Sequence, residues 1–116
     1  MGKIEIPDSI RCELEEKGGL DGIISLLPDD QKLKDIASIA RALSDPVRVR
    51  VLFALCVQPI CVCLLVAMTG YAYSKMSYHL SLLKGSGLVF SKQEGNYLIY
   101  YPTDQGREIV EWIETL

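Results

Sequence analysis

The feature that most constrains this chain is a pair of short segments separated by Thr69-Gly70. Cys61 to Met68 is apolar enough for one short helix, and a second helix is expected from about Ala72 to Ser86. Gly85-Ser86-Gly87 ends it. Two helices joined by a turn of about 3–4 residues that contains glycine match the helix-turn-helix pattern. On the second helix Tyr73, Met76, Leu80 and Leu83 share one side and are expected to face a core. Ser74, Lys75, Ser77, Tyr78, His79 and Ser81 are expected on the other side.

The flanking segments extend the pattern. Asp8-Ser9 is placed to cap a helix to about Lys17, where Gly18-Gly19 stops it, and Asp21 to Leu27 reads as another. A helix over 29–43 carries Leu33, Ile36, Ala37, Ala40 and Leu43 along one face. Asp45 fits an N-cap and Pro46 a first helical position, which starts a helix running to about Cys56 with Val47, Val51, Leu52 and Leu55 inward. Residues 88–92 and 97–101 read as strands joined by the turn residues 93–96, a β-hairpin. A last helix follows Pro102-Thr103-Asp104, with Ile109, Val110, Ile113 and Leu116 apolar. The expected fold is mainly α with a small β-hairpin (α+β): a winged helix-turn-helix, homodimeric. Residues 1–28 would form an N-terminal arm with short helices, and 29–116 the winged-helix DNA-binding and dimerisation domain. A chain of 116 residues has little room to bury its last helix alone. That helix and the one at 29–43 are therefore assigned to a dimer interface.

The net charge of −3 conceals a polarity along the chain. From Arg41 to Lys92 there are six basic residues (Arg41, Arg48, Arg50, Lys75, Lys84, Lys92) against one acidic residue, Asp45. No acidic residue lies between Gly70 and Ser91. A basic middle between acidic ends can meet a polyanion through one face. In a winged helix the second helix of the motif enters the major groove. Ser74, Lys75, Ser77, Tyr78, His79 and Ser81 then offer hydroxyls, a cation and rings to base edges or phosphates. Lys92 and Asn96 in the hairpin suit the minor groove or flanking backbone, and Arg48 and Arg50 suit phosphates. His79, the only histidine, reads as a groove-facing or cap-like polar residue and not as a ligand or a base, because no nucleophile or carboxylate partner is recognisable near it.

Four cysteines make the second constellation: Cys12, Cys56, Cys61 and Cys63. Cys61-Val62-Cys63 falls at a helix start, where the helix dipole favours thiolate. Residues two apart on a regular helix diverge by about 200°. Joint ligation therefore requires Cys61 at or just before the first turn, which Pro59-Ile60 permits. Two thiolates fall short of a closed four-ligand zinc site. A third sulfur would come from Cys12 or Cys56. Three thiolates without histidine suit soft ions, namely As(III), Sb(III), Cd(II) or Pb(II), with no organic cofactor. The chain has no apolar run of the length of about 18 residues that a span requires, and Met1 to Asp8 lack the pattern of a secretory signal. The expectation is a cytoplasmic, non-enzymatic protein with no membrane partner and reduced thiols.

The stretches ALSDPVRVRVLFAL, CVCLL, SKMSYHLSLLKGSGLV and SKQEGNYLIYY, within about residues 33–102, resemble the ArsR/SmtB family of metal-sensing repressors. The resemblance implies a dimer on a palindromic operator, released when an inducer binds thiolates on the first helix of the motif, where Cys61 and Cys63 match. Leu64 stands where the family has an aspartate, and Val66 where arsenic-sensing members have a third cysteine. Cys12 resembles the N-terminal-arm cysteines of cadmium- and lead-sensing members. The last helix has no histidine, so the family's zinc site there is expected to be missing. Two other signals fit the same scaffold: thiol oxidation or persulfidation, or no signal at all in a constitutive repressor. A reading of another class is a thiol metal-carrier or redox protein on a winged-helix scaffold without DNA binding.

Overall fold

In the computed structural model, which describes residues 4–116, the chain divides into two compact units, 1–33 and 34–116. The first holds helices α1 (Asp8–Glu16) and α2 (Gly19–Leu26). Gly18 and Gly19 take φ of 89° and 79° between them, a left-handed turn that side chains resist and that ends α1. Asp8 does not cap α1 as expected. It is the helix's first residue, Pro7 holds the cap position, and Asp8 pairs with Arg11 at 3.9 Å. No residue of α1 or α2 is buried.

Helix α3 (Asp30–Ala42) carries the division between the units, and α4 spans Pro46–Val57. The Asp45 carboxylate accepts the Val47 N–H at 2.8 Å, the cap expected before Pro46. Strand β1 (Ile60–Cys61) leads into α5 (Val62–Thr69). Gly70, with φ 75°, turns the chain toward α6 (Tyr73–Gly85). Strands β2 (Val89–Glu94) and β3 (Tyr97–Pro102) form the hairpin, and α7 is Asp104–Glu114. The core draws Val51, Leu52 and Leu55 from α4, Leu65 from α5, Met76, Leu80 and Leu83 from α6, and Val110 from α7.

Three details depart from the sequence reading. The sheet has three strands in the order β1-β3-β2, with Ile60 opposite Tyr100 and Cys61 opposite Ile99. A two-residue strand after Pro59 is too short to show alternation, so periodicity could not reveal it. The hairpin register runs to Glu94 opposite Tyr97, which leaves only Gly95-Asn96 as the turn, with Gly95 at φ 59°. Tyr73 is not in the core; it is 58% exposed. The buried stripe of α6 is Met76, His79, Leu80 and Leu83, spaced i, i+3, i+4 and i+7, and Tyr73 overhangs its N-terminal end.

Thr103 fastens the wing to α7. Its hydroxyl donates to the Gly87 carbonyl at 2.6 Å and accepts the Gly106 N–H at 3.0 Å. A Cβ on Gly106 would overlap the Leu88 carbonyl oxygen, so only glycine permits this approach. Outside the core, α3 leaves Leu33 and Ile36 exposed, and the C-terminal segment leaves Trp112 and Leu116 exposed.

Candidate nucleic-acid interface and thiol site

Most of the polar side of α6 faces outward. Ser74, Lys75, Ser77, Tyr78 and Ser81 are all exposed. The Lys75 ammonium lies over the Tyr71 ring at 4.2 Å, which holds a cation at the N-terminal end of the helix. The Ser81 hydroxyl donates to the Tyr78 carbonyl at 3.0 Å. On the wing, Phe90 and Tyr101 stack at 5.1 Å, and Lys92 sits 5.5 Å from the Tyr101 ring. Lys92 and Asn96 are exposed, as is Arg50 on α4. Cations at the reading helix and on the wing can both meet phosphate.

Arg48 and His79 lie elsewhere. Both were expected on the outward face, and both are buried, at 6% and 4% exposure. Arg48 Nη1 is 2.9 Å from His79 Nδ1, and its Nε donates to the Ala42 carbonyl at 2.8 Å. Its Nη2 reaches the Arg41 carbonyl at 3.1 Å. These are carbonyls at the C-terminus of α3, where a cation is favoured. A guanidinium only donates, so Nδ1 accepts and the ring proton sits on Nε2. That nitrogen is buried and has no hydrogen-bond partner. Burial pushes the His79 pKa down; the nearby Asp45 carboxylate opposes this, while Arg48 and Lys75 reinforce it. The pair ties the reading helix to the α3–α4 junction from inside and offers DNA nothing. A sequence cannot distinguish this arrangement from a groove-facing histidine, because the partner lies 31 residues away.

The sulfurs of Cys61 and Cys63 are 2.7 Å apart. Cys61 occupies the N-cap of α5 in extended conformation, φ −77° and ψ 156°, which swings its side chain toward that of Cys63. The contact with Cys63 holds the Cys61 pKa below the ordinary thiol value, with a smaller contribution from the Leu64 N–H. The same contact raises the Cys63 pKa. The site can thus present a thiolate beside a thiol. A tetrahedral ion with bonds of about 2.3 Å would set two sulfurs about 3.7 Å apart, a span that two neighbouring cysteine side chains can adopt.

Cys56 is half-buried against the core, where burial raises its pKa, opposed by Arg107. Cys12 is exposed on α1. Among the described residues no cluster of three His, Cys, Asp or Glu side chains could hold a metal. Within residues 34–116 the structure brings Cys61 and Cys63 together and does not add Cys56 to them.

A helix-turn-helix followed by a hairpin wing defines a winged-helix DNA-binding domain. The family model described as "Bacterial regulatory protein, arsR family" matches residues 45–91, from the cap of α4 into β2. The cadmium resistance transcriptional regulatory protein CadC homolog of Staphylococcus aureus is 35% identical over 75 residues, which cover 64% of this chain and 61% of that protein. The HTH-type transcriptional regulator CmtR of Mycobacterium tuberculosis is 38% identical over 80 residues, 68% of this chain and 67% of that one. The homodimeric winged helix-turn-helix DNA-binding domain of Mb0332 from Mycobacterium bovis superposes with a TM-score of 0.69 at 23% identity, over 78% of this chain and 87% of that one. The chain belongs to the ArsR family of transcriptional regulators. It is a regulator and not an enzyme. No helix among the described residues is long and apolar enough to cross a membrane.

Proposed function

We propose that this protein is a homodimeric cytoplasmic repressor that holds an operator through α6 and the wing, and lets go when a thiophilic ion takes Cys61 and Cys63. The observation that carries this reading is the position of the paired sulfurs. They sit at the start of the first helix of the motif, and Cys61 is also a strand residue paired with Ile99 of the wing. Ser74, Lys75, Ser77, Tyr78 and Ser81 meet the major groove, while Lys92 and Asn96 flank it and Arg50 reaches phosphate.

As(III), Sb(III), Cd(II) or Pb(II) would supply a soft Lewis acid that cross-links sulfurs. The relation to a cadmium resistance regulator puts Cd(II) first among them. Cys61 and Cys63 provide two donors. A third comes from Cys12 of the partner subunit, in preference to Cys56, which faces the core. An ion bound at the pair fixes Cys61, and with it the backbone paired to Ile99 in β3. The wing and the N-terminus of α5 thereby shift together, and the two reading helices of the dimer leave the register of their half-sites.

The test is operator release, followed by fluorescence anisotropy, against cadmium, lead, arsenite and zinc. At least one of the three soft ions releases DNA from the natural protein at concentrations where zinc does not. Cys61→Ser and Cys63→Ser each abolish the response while leaving operator affinity within about threefold. Release that persists in both variants would refute the site. Close sulfurs also suit oxidation, and that second reading predicts operator release by peroxide, which is reduced to water as a disulfide forms, with a mass loss of two hydrogen atoms across Cys61 and Cys63.

A further inference from the structure

Lys34, Ala37, Ser38 and Arg41 stand at i, i+3, i+4 and i+7 on α3 and so share one face of that helix. That face and the Ser81–Gly85 end of α6 enclose a cleft of about 370 Å³. Among the described residues, Lys34 and Arg41 are the charged side chains that line it, and no carboxylate does. Ser38 and Ser81 add hydroxyls. The two walls are pinned from behind by Arg48. Its Nε and Nη2 donate to the Ala42 and Arg41 carbonyls at the end of α3, and its Nη1 meets His79 of α6 at 2.9 Å. These bonds use only the backbone of Arg41, whose side chain is exposed.

We propose that this cleft is a binding site for the phosphate backbone of the operator, with Lys34 and Arg41 each holding one phosphate beside the major groove. This rests on the reading of α6 as the groove helix. Ser74, Ser77, Tyr78 and Ser81 also recur at i, i+3, i+4 and i+7, so the outward stripe of α6 runs into the cleft at Ser81. A major groove about 12 Å wide closely fits a helix about 10–12 Å across, so phosphates stand along both flanks of the helix. On one flank of α6, Lys84 donates to Ser91 of the wing at 3.0 Å, and Lys92 follows on the same strand. The cleft with α3 supplies cations for the other flank. Lys34 and Arg41 are separated by about 10 Å along the helix axis, too far for one phosphate and suited to two on a strand. Exposed Leu33 and Ile36 lie about a third of a turn away around α3. The apolar face expected at a dimer interface is thus distinct from the cleft.

The test measures duplex affinity against salt concentration for the full-length protein by fluorescence anisotropy. Lys34→Gln/Arg41→Gln reduces the slope of log affinity against log salt by about 1.8 per protomer, at about 0.9 for each contact. Operator and unrelated duplex weaken alike, by at least about tenfold at 0.1 M salt. Lys34→Arg/Arg41→Lys keeps the natural slope, which separates a charge effect from damage to the fold. Ser38→Glu brings a carboxylate into the cleft, removes no cation, and also weakens binding. Lys32→Gln, on the same helix but outside the cleft, leaves the slope unchanged. An unchanged slope in Lys34→Gln/Arg41→Gln, with natural protein that binds duplex in a salt-dependent way, would overturn this inference and leave α6 as the reader. A slope lost equally in the charge-keeping variant would overturn it as well. Calorimetric binding of inorganic phosphate to the natural protein but not to Lys34→Gln/Arg41→Gln, with the slope unchanged, would make the cleft a site for a free anion and end its assignment to DNA. Natural protein without salt-dependent duplex binding would remove the DNA-reading function and this inference with it.

Discussion

Two residues from the predicted DNA-reading set lie in the interior, and their chemistry there is testable. Arg48 satisfies two α3 carbonyls and the His79 ring from a position 6% exposed. Removing one side of such a buried charged network costs about 3 kcal/mol, because the remaining polar groups lose their partner. His79 carries the pH dependence. Its folded pKa lies below the ordinary histidine value of about 6.5, chiefly through desolvation. Above that pH the ring is neutral in both states and costs folding nothing. As pH falls the unfolded ring takes a proton that the folded ring resists, so stability is lost until the folded ring protonates as well. Chemical denaturation between pH 7.5 and 5.0 is therefore expected to show a steeper loss for the natural protein than for His79→Gln. Equal slopes would place the ring's burial in doubt. Cys61 and Cys63, in contrast, were legible from spacing alone. An i,i+2 pair at a helix start converges when its first member stands before the first turn, and the extended N-cap supplies that.

At the scale of elements, the punctuation in the sequence did most of the work. Asp45-Pro46, Gly70 and Gly87 each mark a boundary for a local steric reason, and the helices fall where those residues put them. Strand β1 escaped because it owes its existence to β3, whose register no local pattern specifies. The omission matters for the proposed function, in which β1 is the element that links a thiol to the wing. On α6 the outward residues remain the proposed readers, and Lys75 is the phosphate contact among them. Lys75→Ala should weaken binding to all duplexes alike and reduce the slope of log affinity against log salt by about 0.9. A loss confined to the operator sequence, with the slope unchanged, would make Lys75 a base reader.

For the whole molecule, the exposed apolar residues raise the question of assembly. Trp112 is 59% exposed and Leu116 is 85% exposed at the C-terminal end, although Val110 on the same helix is buried. A helix with one apolar side in its own core and a second side in water is suited to a two-fold partner. We propose α7, with α3, as the dimer interface. Trp112→Glu is expected to give a monomer in sedimentation velocity and to weaken operator binding at least a hundredfold, because a monomer holds one half-site. A dimer that survives this change would require another interface.

The coupling between sulfurs and DNA is best tested through its reciprocity. An ion that drives the protein off its operator must itself bind more weakly when the operator is present, and by the same factor. Cadmium affinity, read from the thiolate-to-metal absorption band, should be measured on the free dimer and on the saturated protein–operator complex at fixed salt. A tenfold or greater weakening on DNA, matching the loss of operator affinity that cadmium causes, is the predicted result. Equal cadmium affinity in the two states would mean that Cys61 and Cys63 do not control the grip of α6 and the wing.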